Sequence, residues 1–214
     1  MPVPQRYATA TAFRAALEAR LRQQASGSQT SLGRVRRQVA FERFLARLFH
    51  TMPSPWLLKG GYALELRLGD TARSTRDLDL GVPHPERLAA GNEGVGVAVR
   101  ETLADAAERD LDDWFEFAVG PTMADLDGPP GGCARYPIDC RVDGRIFAQF
   151  HVDVSLGDQV AGEPEWLEGH DFLAFAGVPP ARLVVTCFPE TGPFDTVIAS
   201  RRWRWSGRGV RRGA

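Results

Sequence analysis

The sequence predicts an α+β fold, a mixed sheet flanked by helices behind a two-helix N-terminal extension. Three observations carry this. Phe13, Leu17 and Leu21 recur at helical spacing in the first fifty residues. Asp77-Leu78-Asp79-Leu80 alternates like a half-buried strand. Asp143-Gly144 separates two strand-like runs and is a type I′ hairpin signal.

The elements follow in order. Leu32, Val35, Val39, Leu45 and Leu48 continue the helical stripe, and Ala25-Ser26-Gly27-Ser28 divides it into two helices. Met52-Pro53-Ser54-Pro55 closes this unit, because a residue before proline is pushed out of the helical region. Residues 56–59 read as a buried strand, 61–68 as a short helix and 76–82 as a strand stopped by Pro83. Residues 86–110 read as helix, with Gly91-Asn92-Glu93-Gly94 interrupting its start. Residues 114–119 alternate as a strand, 125–132 are a loop rich in Asp, Pro and Gly, and 134–142 with 145–155 form the hairpin. The division expected is a helical extension over 1–52, a core over 53–183, and an arginine- and tryptophan-rich tail over 184–214 that lacks helical periodicity and is expected to be poorly ordered.

At 214 residues, 43% hydrophobic and 25% charged, the chain has the composition of a soluble domain with a sizeable core. No apolar run approaches the roughly 20 residues that span a bilayer, and the N-terminus lacks a secretory layout. Cys133, Cys140 and Cys187 fit no zinc spacing and read as free thiols of a cytoplasmic protein. The formal charge of −1 conceals segregation: residues 1–50 hold nine arginines against Glu18 and Glu42, and the last fourteen hold six arginines and no acid. That leaves 11 basic against 25 acidic residues for 51–200. A basic flank beside an acidic body suits an enzyme acting on a polyanion such as RNA, and equally the solvated face of arginine-rich helices.

The chemistry concentrates around Lys59-Gly60-Gly61 and Arg73-Ser74-Thr75-Arg76-Asp77-Leu78-Asp79. Alternation puts Asp77 and Asp79 on one strand face and Leu78 and Leu80 on the other. Two adjacent carboxylates repel unless a cation lies between them, and oxygen-only ligands suit Mg²⁺. Gly60 and Gly61 let the backbone approach a phosphate at a helix start. Alone, an Asp-x-Asp is a common solvated strand, and a glycine pair a common turn. The hairpin strand Phe150-His151-Val152-Asp153-Val154 adds Asp153, a third carboxylate for phosphoryl transfer if it pairs beside the aspartate strand. Otherwise Asp153 caps or pairs with an arginine. His151 is read as a structural neighbour.

In this order and spacing the residues resemble the AbiEii/AbiGii toxins of the polymerase-β-like nucleotidyltransferases, whose motifs read Lys-Gly-Gly-x-Ala-Leu and Arg-x-Ser/Thr-x-Asp-Leu-Asp. The likeness runs from Tyr7 to about Pro180. It implies a polymerase-β-like core and an Mg²⁺-dependent transfer of a nucleoside monophosphate from an NTP to an acceptor hydroxyl, the tRNA 3′ end in relatives. It also implies a cognate antitoxin of an AbiE-type (type IV) system. Asp77, Asp79 and Asp153 would then be catalytic and metal-binding, and Gly60, Gly61, Thr75, Arg73 and Lys59 substrate-binding. The family's following lysine-bearing helix and downstream aspartate motif do not occur; Lys59 is the sole lysine. The tail is therefore either a basic RNA-binding arm or the product of a shifted reading frame. The alternative functions are an impaired toxin remnant that binds only RNA or antitoxin, and nucleotidyl transfer to a protein or small molecule.

Overall fold

A mixed sheet forms the frame, its strands ordered Phe115–Val119 (β3), Cys133–Val142 (β5), Arg145–Leu156 (β6), Asp77–Val82 (β2), Leu57–Lys59 (β1), Arg182–Val185 (β8) and Glu165–Glu168 (β7), with Ala124–Leu126 (β4) pairing beside β5 as an eighth strand. The computed structural model describes residues 6–28, 30–69, 74–88, 95–126, 133–157 and 163–186. The tail beyond Thr186, with Cys187, lies outside the described residues, as does Arg73.

Helix α1 (Ala10–Ser28) starts where the Thr9 hydroxyl accepts from the Ala12 amide at 3.2 Å. Helix α2 (Leu32–Leu48) is capped by the Ser31 side chain, which accepts from the Arg34 amide. Phe13, Leu17 and Leu21 of α1 and Val35, Val39, Phe41, Phe44 and Leu45 of α2 are buried in the same core as the sheet. Edge-to-face and tilted rings join the layers: Phe41 to Phe150 at 4.9 Å, Phe44 to Phe117 at 5.4 Å. Each such buried side chain contributes roughly 1.5–3 kcal/mol relative to exposure.

The site-bearing strands are β1 (Leu57–Lys59), β2 (Asp77–Val82), β5 (Cys133–Val142) and β6 (Arg145–Leu156). Helix α3 (Gly60–Leu68) leaves directly from β1. Strand β1 runs antiparallel to β2, β2 parallel to β6, and β6 antiparallel to β5. One sheet face is apolar: Leu58, Leu80 and Val154 align on it, and Leu78, Val152 and Tyr136 form the next row, all buried. Asp143 and Gly144 both take positive φ, 56° and 67°, as a type I′ turn demands. A register shift beside Cys140 and Arg141 then inserts one extra residue, Phe147, into β6.

Three regions differ from expectation. Where 86–110 reads as helix, a 3₁₀ turn covers Pro85–Arg87 and helix α4 spans Val95–Ala107, with 89–94 outside the described residues. Within the expected loop 125–132, Ala124–Leu126 is strand β4, antiparallel to β5; the stretch from 127 on is not described. Strand β5 outruns β3 (Phe115–Val119), and β4 pairs along the edge left over. Strands β7 (Glu165–Glu168) and β8 (Arg182–Val185) have no counterpart in the sequence reading, and β8 lies parallel to β1. These are four-residue runs too short for periodicity to reveal.

Charge is also buried. Arg43 and Arg47 of α2 converge on Asp113, which is fully buried, at 2.7 Å each. Arg47 also donates to the Phe115 carbonyl, and Asp113 accepts from the Phe115 amide.

Candidate active site

The polar sheet face carries a row of four charges. Lys59 pairs with Asp79 across β1–β2, Asp79 with Asp153 across β2–β6, and Asp153 with Arg135 across β6–β5. The order is plus, minus, minus, plus. Like charges directly opposite one another on neighbouring strands are destabilising, and the flanking cations offset this. In the next row Asp77 pairs with His151, whose Nδ1 lies 3.3 Å from Asp77 Oδ1.

Gly60 shapes the turn into α3 with φ +66°, and a Cβ there would stand 2.1 Å from Asp79 Oδ2. Only glycine combines that conformation with that approach. The Gly61 amide, at the start of α3, donates to Asp79 Oδ2 at 3.4 Å. Burial and the Asp153 charge nonetheless push the Asp79 carboxyl up to about 6, against the Gly61 amide and Lys59. Lys59 Nζ donates to Ser155 Oγ at 2.5 Å.

Arg135 holds a position in the site that no sequence signal announces. Its Nε and Nη2 fork onto the two Asp153 oxygens at 2.6 Å each, and Nη2 also reaches Asp77 Oδ2 at 3.3 Å. The Asp153 hydrogen bonds and charge, with Asp77, hold the guanidinium firmly in its charged form. Below the row, Glu65 of α3 accepts from Arg34 at 2.8 Å, Gln38 at 2.7 Å and the Thr75 amide at 3.4 Å. The Thr75 hydroxyl donates to the Asp77 carbonyl at 3.0 Å. Glu65 thereby ties α2, α3 and the approach to β2 together, a role its sequence context does not signal.

Of the residues expected at the site, Lys59, Gly60, Gly61, Thr75, Asp77, Asp79 and Asp153 come together at one end of β1, β2 and β6. Among the described residues no group of three or more His, Cys, Asp or Glu side chains closes to metal-ligating geometry. The guanidinium of Arg135 stands between Asp77 and Asp153 instead. The donor set still fits a hard divalent cation: oxygen ligands only, two in direct register, a third on the same strand face, and a cation already bridging two of them.

The basic N-terminal segment serves the fold more than a surface. Arg6 donates to the Phe175 carbonyl, Arg14 to those of Val142 and Arg145, and Arg36 pairs with Glu18. Arg37 faces the site, where burial and the neighbouring Arg76 lower its pKa against Glu65 and Asp77. Cys140 is a buried free thiol. Among the described residues no helix is long and apolar enough to cross a membrane.

Residues 43–191 match the family described as nucleotidyl transferase AbiEii toxin, type IV toxin–antitoxin system. Among solved structures the chain is similar to MenT4, a nucleotidyltransferase toxin from Mycobacterium tuberculosis H37Rv, at 22% identity and a TM-score of 0.57. That likeness, one of fold, covers 79% of this chain and 54% of MenT4, so the chain spans about half the length of that relative. No curated protein matches the sequence.

Proposed function

This chain belongs to the AbiEii family of nucleotidyltransferase toxins of type IV toxin–antitoxin systems, and from that premise we propose that its aspartate cleft transfers a nucleoside monophosphate from an NTP to an acceptor hydroxyl. The observation that supports this reading most is the charged row Lys59–Asp79–Asp153–Arg135 with Asp77 beside it. Asp77, Asp79 and Asp153 would hold Mg²⁺, which when bound neutralises the triphosphate and the charge that develops in transfer. The glycine turn at Gly60 and Gly61 receives the phosphates, with Lys59 and Thr75 around them, and Arg73, outside the described residues, is proposed as a further phosphate contact. The acceptor oxygen attacks the α-phosphorus, the bond to the β-phosphate oxygen breaks, and pyrophosphate leaves. The acceptor proton passes to a carboxylate, a role for Asp153 supported by its register opposite Asp79.

The acceptor we favour is the 3′ end of tRNA, with a cognate antitoxin as the protein partner in the cytoplasm. Arg37 and Arg76 beside Asp77 support a polyanionic acceptor, although most of the other N-terminal arginines are engaged within the fold. Purified protein offered each α-labelled NTP with Mg²⁺ and total bacterial RNA tests this. Label in tRNA, lost in Asp79→Ala, is the expected result. Label in protein or a small molecule would overturn the acceptor, and none in any fraction would overturn transfer itself and leave a binding remnant.

A further inference from the structure

The Arg135 fork engages Asp77 and Asp153, two of the carboxylates that would hold a divalent cation. We propose that Arg135 is a tethered counter-cation: metal and guanidinium are alternative partners of the same carboxylates, and the displaced guanidinium turns to the phosphate that arrives with the metal. The inference rests on the metal-dependent reading of the cleft above.

The geometry supports exchange over permanent pairing. Among the described residues Arg135 bonds two of the three carboxylates, and Asp79, in direct register with Asp153, accepts from the Gly61 amide at 3.4 Å. Asp77 and Asp153 keep 33% and 20% of their side-chain surface, and Arg135 keeps 18%, so the fork can open without unpacking the core. A guanidinium fork matches phosphate oxygens as well as carboxylate oxygens. Metal alone must therefore break two short charge-assisted bonds and leave a cation facing a cation. Metal arriving with a triphosphate exchanges one anion for another and strands neither charge. The consequence is a cleft that takes metal poorly by itself and well with nucleotide, and the coupling is reciprocal.

The test uses Mn²⁺, followed by electron paramagnetic resonance on the full chain, with and without a non-hydrolysable NTP. Arg135→Gln should bind Mn²⁺ alone about tenfold more tightly than the wild type, the size expected when a charged hydrogen-bonded competitor is removed. In the wild type, the Arg135 Nε–H resonance, assigned by its loss in Arg135→Gln, should shift on saturation with Mg²⁺ and the analogue as its acceptor changes from carboxylate to phosphate. Arg135→Lys, which keeps the charge but cannot fork, should bind Mn²⁺ between the two and serves if the glutamine variant does not fold. Mn²⁺ affinity unchanged or weaker in the variants, or an unmoved Nε–H signal, overturns the inference. If no variant binds Mn²⁺ even with the analogue, the metal-dependent reading falls with it.

Discussion

Two clusters in this molecule use the same chemistry, arginine on aspartate, to opposite ends. Around Asp113 two guanidiniums answer one carboxylate, a backbone amide completes its shell, and the group is sealed under α2. Burial opposes ionisation there, but the Arg47 hydrogen bond and the Arg43 and Arg47 charges prevail and hold the Asp113 carboxyl below its usual range. Around Arg135 one guanidinium serves two carboxylates, a third is pushed up to about 6, and the group stays open to solvent. The first has no carboxylate oxygen left to offer a ligand. The second leaves two carboxylates, Asp79 and Asp153, directly opposite one another, a crowding that a proton or an incoming cation relieves. Saturation and burial, more than residue type, separate a structural ion pair from a reactive one.

The largest way to break this contrast is Asp113→Ala. It strands two buried guanidiniums and should remove about 3–5 kcal/mol of stability; a urea midpoint implying less than about 1 kcal/mol would show that the cluster is not sealed. Asp79→Asn should do the reverse. Its folded carboxyl is raised from 3.8 to about 6, so the fold holds a proton that the unfolded chain releases, and stability falls as pH rises through that window. Allowing for partial exposure, asparagine should gain about 2 kcal/mol at pH 8 and nothing below pH 3.8, while abolishing transfer. Equal gains at both pH values would refute the strain. The depressed Asp113 carboxyl has the opposite sign: its contribution is present above the unfolded pKa and lost only as pH falls through its lower folded value.

Gly60→Ala sharpens the cleft's side of the comparison. Left-handed φ and the contact with Asp79 should cost roughly 1–3 kcal/mol, read as a lowered melting temperature, with Mn²⁺ affinity falling as Asp79 is displaced. A fully tolerated alanine would mean the turn is loose. Arg22→Ala sets the floor, since its 3.6 Å bridge to Glu18 is 63% exposed on the arginine side and should change stability by less than about 0.5 kcal/mol.

The aspartate strand is legible in the sequence because alternation alone fixes the face of Asp77 and Asp79, and Gly60 because a glycine pair at a strand-to-helix turn has few uses. Arg135 is not. Counting back from the Asp143-Gly144 turn, Val142 meets Arg145 and Arg141 meets Ile146, which would set Ala134 opposite Asp153. The bulge at Phe147 slips the ladder by one, so Cys140 meets Ala148 and Arg135 meets Asp153. Nothing local in the sequence marks that slip. The fully buried Asp113 is hidden for a related reason: a run of acids before a strand looks solvated until two arginines sixty-six or more residues away are brought onto it. The placement of β8 beside β1 depends on a long-range parallel pairing that no short window contains.

Because β8 runs parallel to β1, the chain emerges from the sheet at the end where Lys59 and the glycine turn lie, with the Thr186 amide on the Leu58 carbonyl at 3.0 Å. A group joined directly at Thr186 would thus be tethered beside the cleft, with its local concentration there set by the tether. The other terminus is anchored differently: Tyr7 packs on Phe13 and Phe175, and Thr11 bonds Asp143 at the hairpin tip, roughly 30 Å along β6 from Asp153. A reporter joined at Tyr7 would start at the hairpin-tip end of the sheet, whereas one joined directly at Thr186 would start beside Lys59 and the glycine turn.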